Sequence, residues 1–161
     1  MAIAVGDKVP DVEVRVLGED GMPASVSTAD VLGAGKVVLF AVPGAFTPGC
    51  SKQHLPGFVR GADALAGKGV DKVVCIAVND AWTLDAWADG QGAKGKIEML
   101  ADGNGAFADA MGLAFDGSGY GLGTRSQRYA AVIEDGTITK LEVEDGPGVD
   151  ASSCENILAK L

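Results

Sequence analysis

The stretch Lys36-Val-Val-Leu-Phe-Ala-Val-Pro43-Gly-Ala-Phe-Thr47-Pro-Gly-Cys50-Ser-Lys-Gln-His54 decides the fold. From Val37 to Val42 the run is apolar without a break and ends at Pro43-Gly44, the pattern of a central strand covered on both faces. Thr47-Pro48 then has the form of a helix start, threonine at the N-cap and proline at the first helical position. Beyond it Leu55, Phe58, Val59, Ala62, Leu65 and Ala66 recur at steps of three and four. A helix is therefore predicted to about Lys68, kinked at Pro56 and closed by Gly67 and Gly69. A buried strand turns sharply into an amphipathic helix, and Cys50 falls in that helix's first turn.

Before this elbow, Val12 to Val16 alternates and reads as a half-buried strand, and Ser27 to Leu32 as a short helix capped by Ser27 or Thr28. After it, Asp71 to Val78 is a second buried strand. Asn79-Asp80 caps a helix carrying Trp82, Leu84 and Trp87, Ile97 to Ala101 is a third strand, and Asn104 caps a short helix through Ala110. Gly112 to Gly123 reads as a long glycine-rich loop. Arg125 to Glu134 and Thr137 to Glu144 are strands joined by Asp135-Gly136, a hairpin signal. Ser152-Ser-Cys-Glu155 has the spacing of a capping box and opens a terminal helix. This order implies an α/β fold with a mixed central sheet flanked by helices. A β-α-β half joined to a β-β-α half is the thioredoxin-like arrangement.

The chain of 161 residues and 16.3 kDa suits one domain, 1–161, large enough to need no disulfide or metal staple. Apolar residues at 47% exclude general disorder. Against 22 acidic residues stand 13 basic ones, a net charge of −9, which argues against nucleic acid or an anionic membrane held by a broad basic patch. Both long apolar runs, Val37 to Val42 and Val73 to Val78, fall far short of the ~20 residues of a membrane helix. The N-terminal residues carry no basic targeting region. Three cysteines at long spacing, without C-x-x-C, point to reduced thiols and a cytoplasmic protein rather than a disulfide framework.

Cys50 is the residue with chemistry in prospect. Unpaired N–H groups and the positive end of the helix dipole meet at a first helical turn, and both favour thiolate over thiol. The position follows the carboxyl end of a central strand, where open α/β sheets place ligands. The plain alternative is a small buried core residue. Ionisation alone achieves little: an ordinary thiol is already roughly 10% thiolate near pH 7.5, so full ionisation gains only about tenfold. A fast catalyst needs other groups to stabilise its transition state. The Thr47 hydroxyl is one candidate, with an N-cap role as the alternative. Arg15, Arg60, Arg125 and Arg128 are the candidate cations, and spacing does not choose among them.

Pro43-Gly-Ala-Phe-Thr47-Pro-Gly-Cys50 matches the P-x-x-x-T-x-x-C signature of the peroxiredoxins. The longer string to Phe58, with Val73-Val-Cys-Ile-Ala-Val-Asn-Asp80 and Arg125-Ser-Gln-Arg128-Tyr-Ala-Ala-Val-Ile-Glu-Asp-Gly136, resembles the type II (atypical, peroxiredoxin-five) subfamily over nearly the whole chain. The resemblance implies a thioredoxin-like thiol peroxidase needing no cofactor and no metal. It implies Cys50 as the peroxidatic cysteine, Thr47 and Arg128 as its partners, Pro43 as the shielding proline, and Gly49, Thr47, Cys50 and Arg128 as the peroxide-binding residues. Arg125 falls on the preceding arginine of the same motif. The substrate would be a hydroperoxide and the product at Cys50 a sulfenic acid.

Cys75 and Cys154 are the candidate resolving cysteines. Cys75 sits inside an apolar strand, and Cys154 does not share the register of the resolving cysteine that some members carry. An external thiol is therefore expected as reductant: glutathione with glutaredoxin, or thioredoxin. His54, at i, i+4 from Cys50, reads as a polar residue near the helix surface, with half a metal site or a catalytic base as alternatives. Family dimers form through loops near the site, and Phe46, Trp82 and Leu113-Ala-Phe115 are candidates for a homodimer contact, with core burial as the alternative. Two rival functions stay open: a non-catalytic thioredoxin-like binding or dimerisation module, and a cysteine hydrolase, which would need a general base beside the thiol.

Overall fold

The computed structural model describes residues 2–161. Seven strands form one mixed sheet in the order β2 (Pro23–Ser27), β1 (Glu13–Leu17), β5 (Glu98–Ala101), β4 (Lys72–Ala77), β3 (Lys36–Val42), β8 (Tyr129–Glu134) and β9 (Thr137–Val143). Strands β3, β4 and β5 run parallel, and β8 runs antiparallel to β3. The apolar run of β3 is thus explained by its place: it pairs with strands on both edges and has helices on both faces. Its alternate residues divide between two cores. Val38, Phe40 and Val42 join Leu55, Phe58 and Leu65 of α2 (Leu55–Gly67), Leu84 and Trp87 of α3 (Ala81–Gly90), and Ile157 of α5 (Cys154–Lys160). Val37, Leu39 and Ala41 face Leu32 of α1 (Thr28–Leu32) and Phe107 and Met111 of α4 (Ala106–Met111).

Several local expectations change. A hairpin partner of the first strand, β2, was not foreseen; its residues Pro23, Ala24 and Ser25 carry little strand propensity and pair only because β1 offers an edge. Neither Ser27 nor Thr28 caps α1 by its side chain: Thr28 donates to the Pro10 carbonyl and accepts from the Val12 N–H. Helix α4 is not capped by Asn104. Gly105 takes the N-cap position with φ of 74°, and the Asp102 carboxylate accepts from the Phe107 and Ala108 N–H groups instead. The glycine-rich loop contains a small hairpin, β6 (Ala114–Asp116) with β7 (Thr124–Ser126), around one helical turn. The long strand expected from Arg125 breaks at Gln127-Arg128, where the chain passes from β7 to the main sheet. The terminal cap is one residue late: Ser153, not Ser152, accepts from the Asn156 N–H.

The predicted kink at Pro56 takes the form of a π turn, Cys50–His54, in which the Leu55 N–H bonds to the Cys50 carbonyl. Proline has no N–H to donate and its ring crowds the carbonyl four residues back, so a wider turn just before it absorbs both problems. Among the described residues no helix is long and apolar enough to cross a membrane.

Candidate active site

The elbow after β3 is a tight turn. The Thr47 N–H bonds to the Gly44 carbonyl at 3.3 Å, Phe46 adopts a left-handed φ of 66°, and the Asn79 side chain accepts from the Ala45 N–H at 2.9 Å. A non-glycine residue in that region is uncommon and costs backbone energy. The Thr47 carbonyl accepts the first helical bond, from Ser51 at 2.9 Å, so Cys50 lies in the first turn as expected. The Thr47 hydroxyl does not cap the helix. It donates back to the Gly44 carbonyl at 2.5 Å, which commits its one proton and leaves its lone pairs as acceptors. The opposite side of the first turn is held by the buried Trp87, whose Nε1 donates to Ser51 Oγ at 2.9 Å.

Of the four candidate arginines, the fold brings one to the sulfur. Arg15 pairs with Glu13 on β1, Arg60 is exposed on α2, and Arg125 donates to the Leu122 and Val78 carbonyls. Arg128 is 8% exposed and places Nη2 3.2 Å from Cys50 Sγ. Among the described residues its guanidinium has no carboxylate within ion-pair distance. A buried cation without a counter-ion directs its field at what it does contact, and here that is the Cys50 sulfur and a ring nitrogen of His54. This contact separates Cys50 from an inert core thiol. Gly49 makes it possible: a Cβ at that position would stand 3.0 Å from Arg128 Nη2. The glycine is required by space, since its φ is −64°.

His54 is buried, not at the helix surface. Its ring packs between Phe40 and Phe58, with centroid distances of 4.9 and 5.6 Å. Nε2 lies 2.9 Å from the Ser152 carbonyl and so carries the proton; Nδ1 then accepts from Arg128 Nη1 at 3.0 Å. Burial and the Arg128 charge lower its pKa from 6.5 to about 3. The ring is neutral at ordinary pH. Both nitrogens are engaged, so it presents neither a base to the Cys50 sulfur nor a ligand to a metal shared with it. Ser152 is anchored in turn by Glu144, whose carboxylate oxygen accepts from the Ser152 N–H and Oγ and from the Asp150 N–H. No spacing rule connects residues so far apart, and the sequence reading missed this link.

The other two cysteines are buried and free. Cys75 on β4 pairs in register with Phe40, inside the core, and burial raises its thiol pKa well above the ordinary value. The Cys154 thiol is raised to about 11, first by burial and then by the Glu155 charge, and its sulfur packs over Gly61 of α2. Beside Cys50 opens a groove of about 660 Å³ bordered by Pro43, Thr47, Gly49, Arg128, Phe115 and Tyr120. Of the proposed contact residues, Phe46 and Trp82 are 61% and 51% exposed, whereas Leu113 is buried. A thiol with a cationic donor on one side and a hydroxyl acceptor nearby can attack an electrophile that needs both, and a peroxide O–O bond is one.

Residues 4–158 match the Redoxin family profile. The chain is 43% identical over 163 residues to peroxiredoxin-2E, chloroplastic, of Arabidopsis thaliana, covering 99% of this chain and 70% of that protein. It is 40% identical over 159 residues to peroxiredoxin-2B of the same plant, covering 99% of this chain and 98% of the other. The crystal structure of reduced Prx3 from Vibrio vulnificus in complex with H2O2 superposes with a TM-score of 0.93 at 44% identity, over 98% of each chain.

Proposed function

The chain belongs to the Redoxin family, as a type II peroxiredoxin and a thiol peroxidase, and on that premise we propose that Cys50 is its peroxidatic residue, acting on hydrogen peroxide and alkyl hydroperoxides. The observation that carries the assignment is the 3.2 Å approach of Arg128 Nη2 to Cys50 Sγ in the absence of an acidic partner. The Cys50 thiolate attacks one peroxide oxygen, the S–O bond forms as the O–O bond breaks, and the departing alkoxide or hydroxide takes a proton and leaves as alcohol or water. Cys50 is left as a sulfenic acid. Arg128 stabilises charge as it moves from sulfur to the leaving oxygen, and the Thr47 lone pairs accept from the peroxide O–H. Pro43 and Gly49 border the groove through which the peroxide enters.

Regeneration is assigned to an external thiol. Cys75 and Cys154 are both buried with raised thiol pKa values, a poor state for attack on a sulfenic acid. Glutathione would condense with the Cys50 sulfenic acid, releasing water, and a second thiol, from glutathione, glutaredoxin or thioredoxin, would reduce the mixed disulfide. Three separated thiols favour a reducing compartment such as the cytoplasm. The exposed Phe46 of the elbow supports a homodimer through loops beside the site, whereas the exposed Trp82 donates to the Gly21 carbonyl in the turn between β1 and β2. Mass mapping after one equivalent of peroxide, with and without glutathione, tests the assignment: a Cys50–glutathione adduct supports external resolution, and an internal Cys50–Cys75 or Cys50–Cys154 bond overturns it. The cysteine-hydrolase alternative lacks its base, since neither nitrogen of His54 is free to serve Cys50.

A further inference from the structure

The groups behind the thiol form a closed circuit. Arg128 Nη2 donates to Cys50 Sγ at 3.2 Å and Nη1 to His54 Nδ1 at 3.0 Å. His54 Nε2 donates to the Ser152 carbonyl at 2.9 Å. The Ser152 N–H and Oγ donate to one Glu144 oxygen at 2.8 and 2.6 Å, and that oxygen also accepts from Asp150. The Glu144 N–H bonds to the Arg128 carbonyl at 3.0 Å and closes the ring. Glu144 therefore meets Arg128 twice, once through the backbone and once through Ser152 and His54.

We infer that Glu144 is a positioning residue for peroxide reduction, fixing the Ser152 carbonyl so that His54 is held in its Nε2–H tautomer and aims the Arg128 guanidinium at Cys50. The physical reason lies in the imidazole. A neutral ring has one donor and one acceptor, and the two tautomers are close in energy until a partner chooses. Only the Nε2–H form leaves Nδ1 free to accept from Arg128. The opposite tautomer would set an N–H against an N–H and push the guanidinium away from sulfur. The Ser152 carbonyl at Nε2 and the Arg128 donor at Nδ1 select this tautomer together, and three donors converging on one Glu144 carboxylate oxygen hold the Ser152 segment in place. Hydrogen bonds from the Ser152 side chain and from backbone N–H groups outweigh the cost of partial burial and keep this carboxyl below its usual pKa, so it is ionised at neutral pH.

The inference rests on the peroxidase reading above, and its test separates the two. The chain has one histidine, so 15N-histidine labelling gives a single imidazole spectrum. The full chain, Glu144→Ala and Glu144→Gln are compared at pH 7 by that spectrum and by stopped-flow reduction of hydrogen peroxide. In the wild type the spectrum should show Nε2–H alone. Glu144→Ala should bring both ring nitrogens toward averaged shifts and lower kcat/KM for peroxide about ten- to a hundredfold, as expected of a guanidinium displaced by about an ångström. Glu144→Gln, which keeps an oxygen acceptor, should recover part of both. If Glu144→Ala does not fold, Ser152→Ala, which removes one of the three donors, should move both readouts in the same direction by less. Unchanged tautomer or unchanged kcat/KM in the folded variants overturns the inference. An inactive wild type with a fixed Nε2–H tautomer instead overturns the peroxidase reading and leaves the positioning geometry standing.

Discussion

Arg128 and Cys50 are 78 residues apart in the chain, yet the guanidinium and the thiol sulfur lie 3.2 Å apart inside the protein. The contact is built by two crossings of the central sheet: β3 delivers Cys50 at its carboxyl end, and antiparallel β8 begins beside it with Arg128 just before its first residue. Replacing Arg128 by lysine keeps the charge but loses the planar fork that serves Cys50 and His54 together. Arg128→Lys should lower kcat/KM for hydrogen peroxide about 10²–10³-fold, the usual cost of removing a donor aimed at developing charge. Competition kinetics against a second peroxidase would measure it.

The Thr47 hydroxyl gives its proton to the Gly44 carbonyl, so at the border of the groove it has only acceptor lone pairs to offer. Thr47→Ser should keep most of the peroxidase rate. Thr47→Val, of nearly the same shape, removes the acceptor and should cost about 10²-fold in kcat/KM, read by single-turnover loss of peroxide. Equal rates for serine and valine would show that the hydroxyl does not touch the reacting oxygen.

Gly49 and Gly61 stand where a methyl group would crowd a site residue and a core sulfur respectively. At Gly49 the crowding is against Arg128 Nη2 at 3.0 Å, the end of a long side chain, so Gly49→Ala should fold and lose activity. At Gly61 a Cβ would overlap Cys154 Sγ, between two packed helices, so Gly61→Ala should destabilise by about 1–3 kcal/mol. Urea unfolding and peroxide kinetics on both variants should therefore give opposite patterns.

His54 links the site to pH. Its pKa is 6.5 when exposed and about 3 in the fold, so the folded chain favours the neutral ring. That contribution is complete above pH 6.5 and is lost as pH falls toward 3, because the unfolded chain takes up the proton first. The slope is about 1.4 kcal/mol per pH unit, so roughly 2 kcal/mol should disappear between pH 6.5 and 5. With no second histidine in the chain, no other imidazole titrates in that interval. Urea unfolding at pH 7, 6 and 5 should show the loss, and His54→Gln should flatten it.

The strand–elbow–helix unit and the Asp135-Gly136 hairpin were legible because they are local: a run of apolar residues, a Thr-Pro helix start and an Asp-Gly turn each decide their own conformation. The place of Cys50 in the first helical turn was legible for the same reason. The lateral order of the strands is instead set by contacts distant in sequence. Arg128 could be narrowed only to one of four arginines by residue chemistry, and the family resemblance singled it out. His54 was misplaced at the helix surface because the π turn before Pro56 rotates it inward, between Phe40 and Phe58. The Ser152–Glu144 link was invisible, since its partners come from the end of β9 and the approach to α5, and the S-x-x-E pattern suggested a cap one residue away from the real one.

Reduction of peroxide at the Cys50 sulfur is open to a direct test. One equivalent of hydrogen peroxide added to the reduced chain should be consumed in a single rapid phase, with one oxygen gained at Cys50 by mass spectrometry and none at Cys75 or Cys154. Cys50→Ser should leave the peroxide untouched while remaining folded. Consumption by Cys50→Ser at the wild-type rate, or oxygen appearing first at Cys75 or Cys154, would show that Cys50 is not the peroxidatic residue.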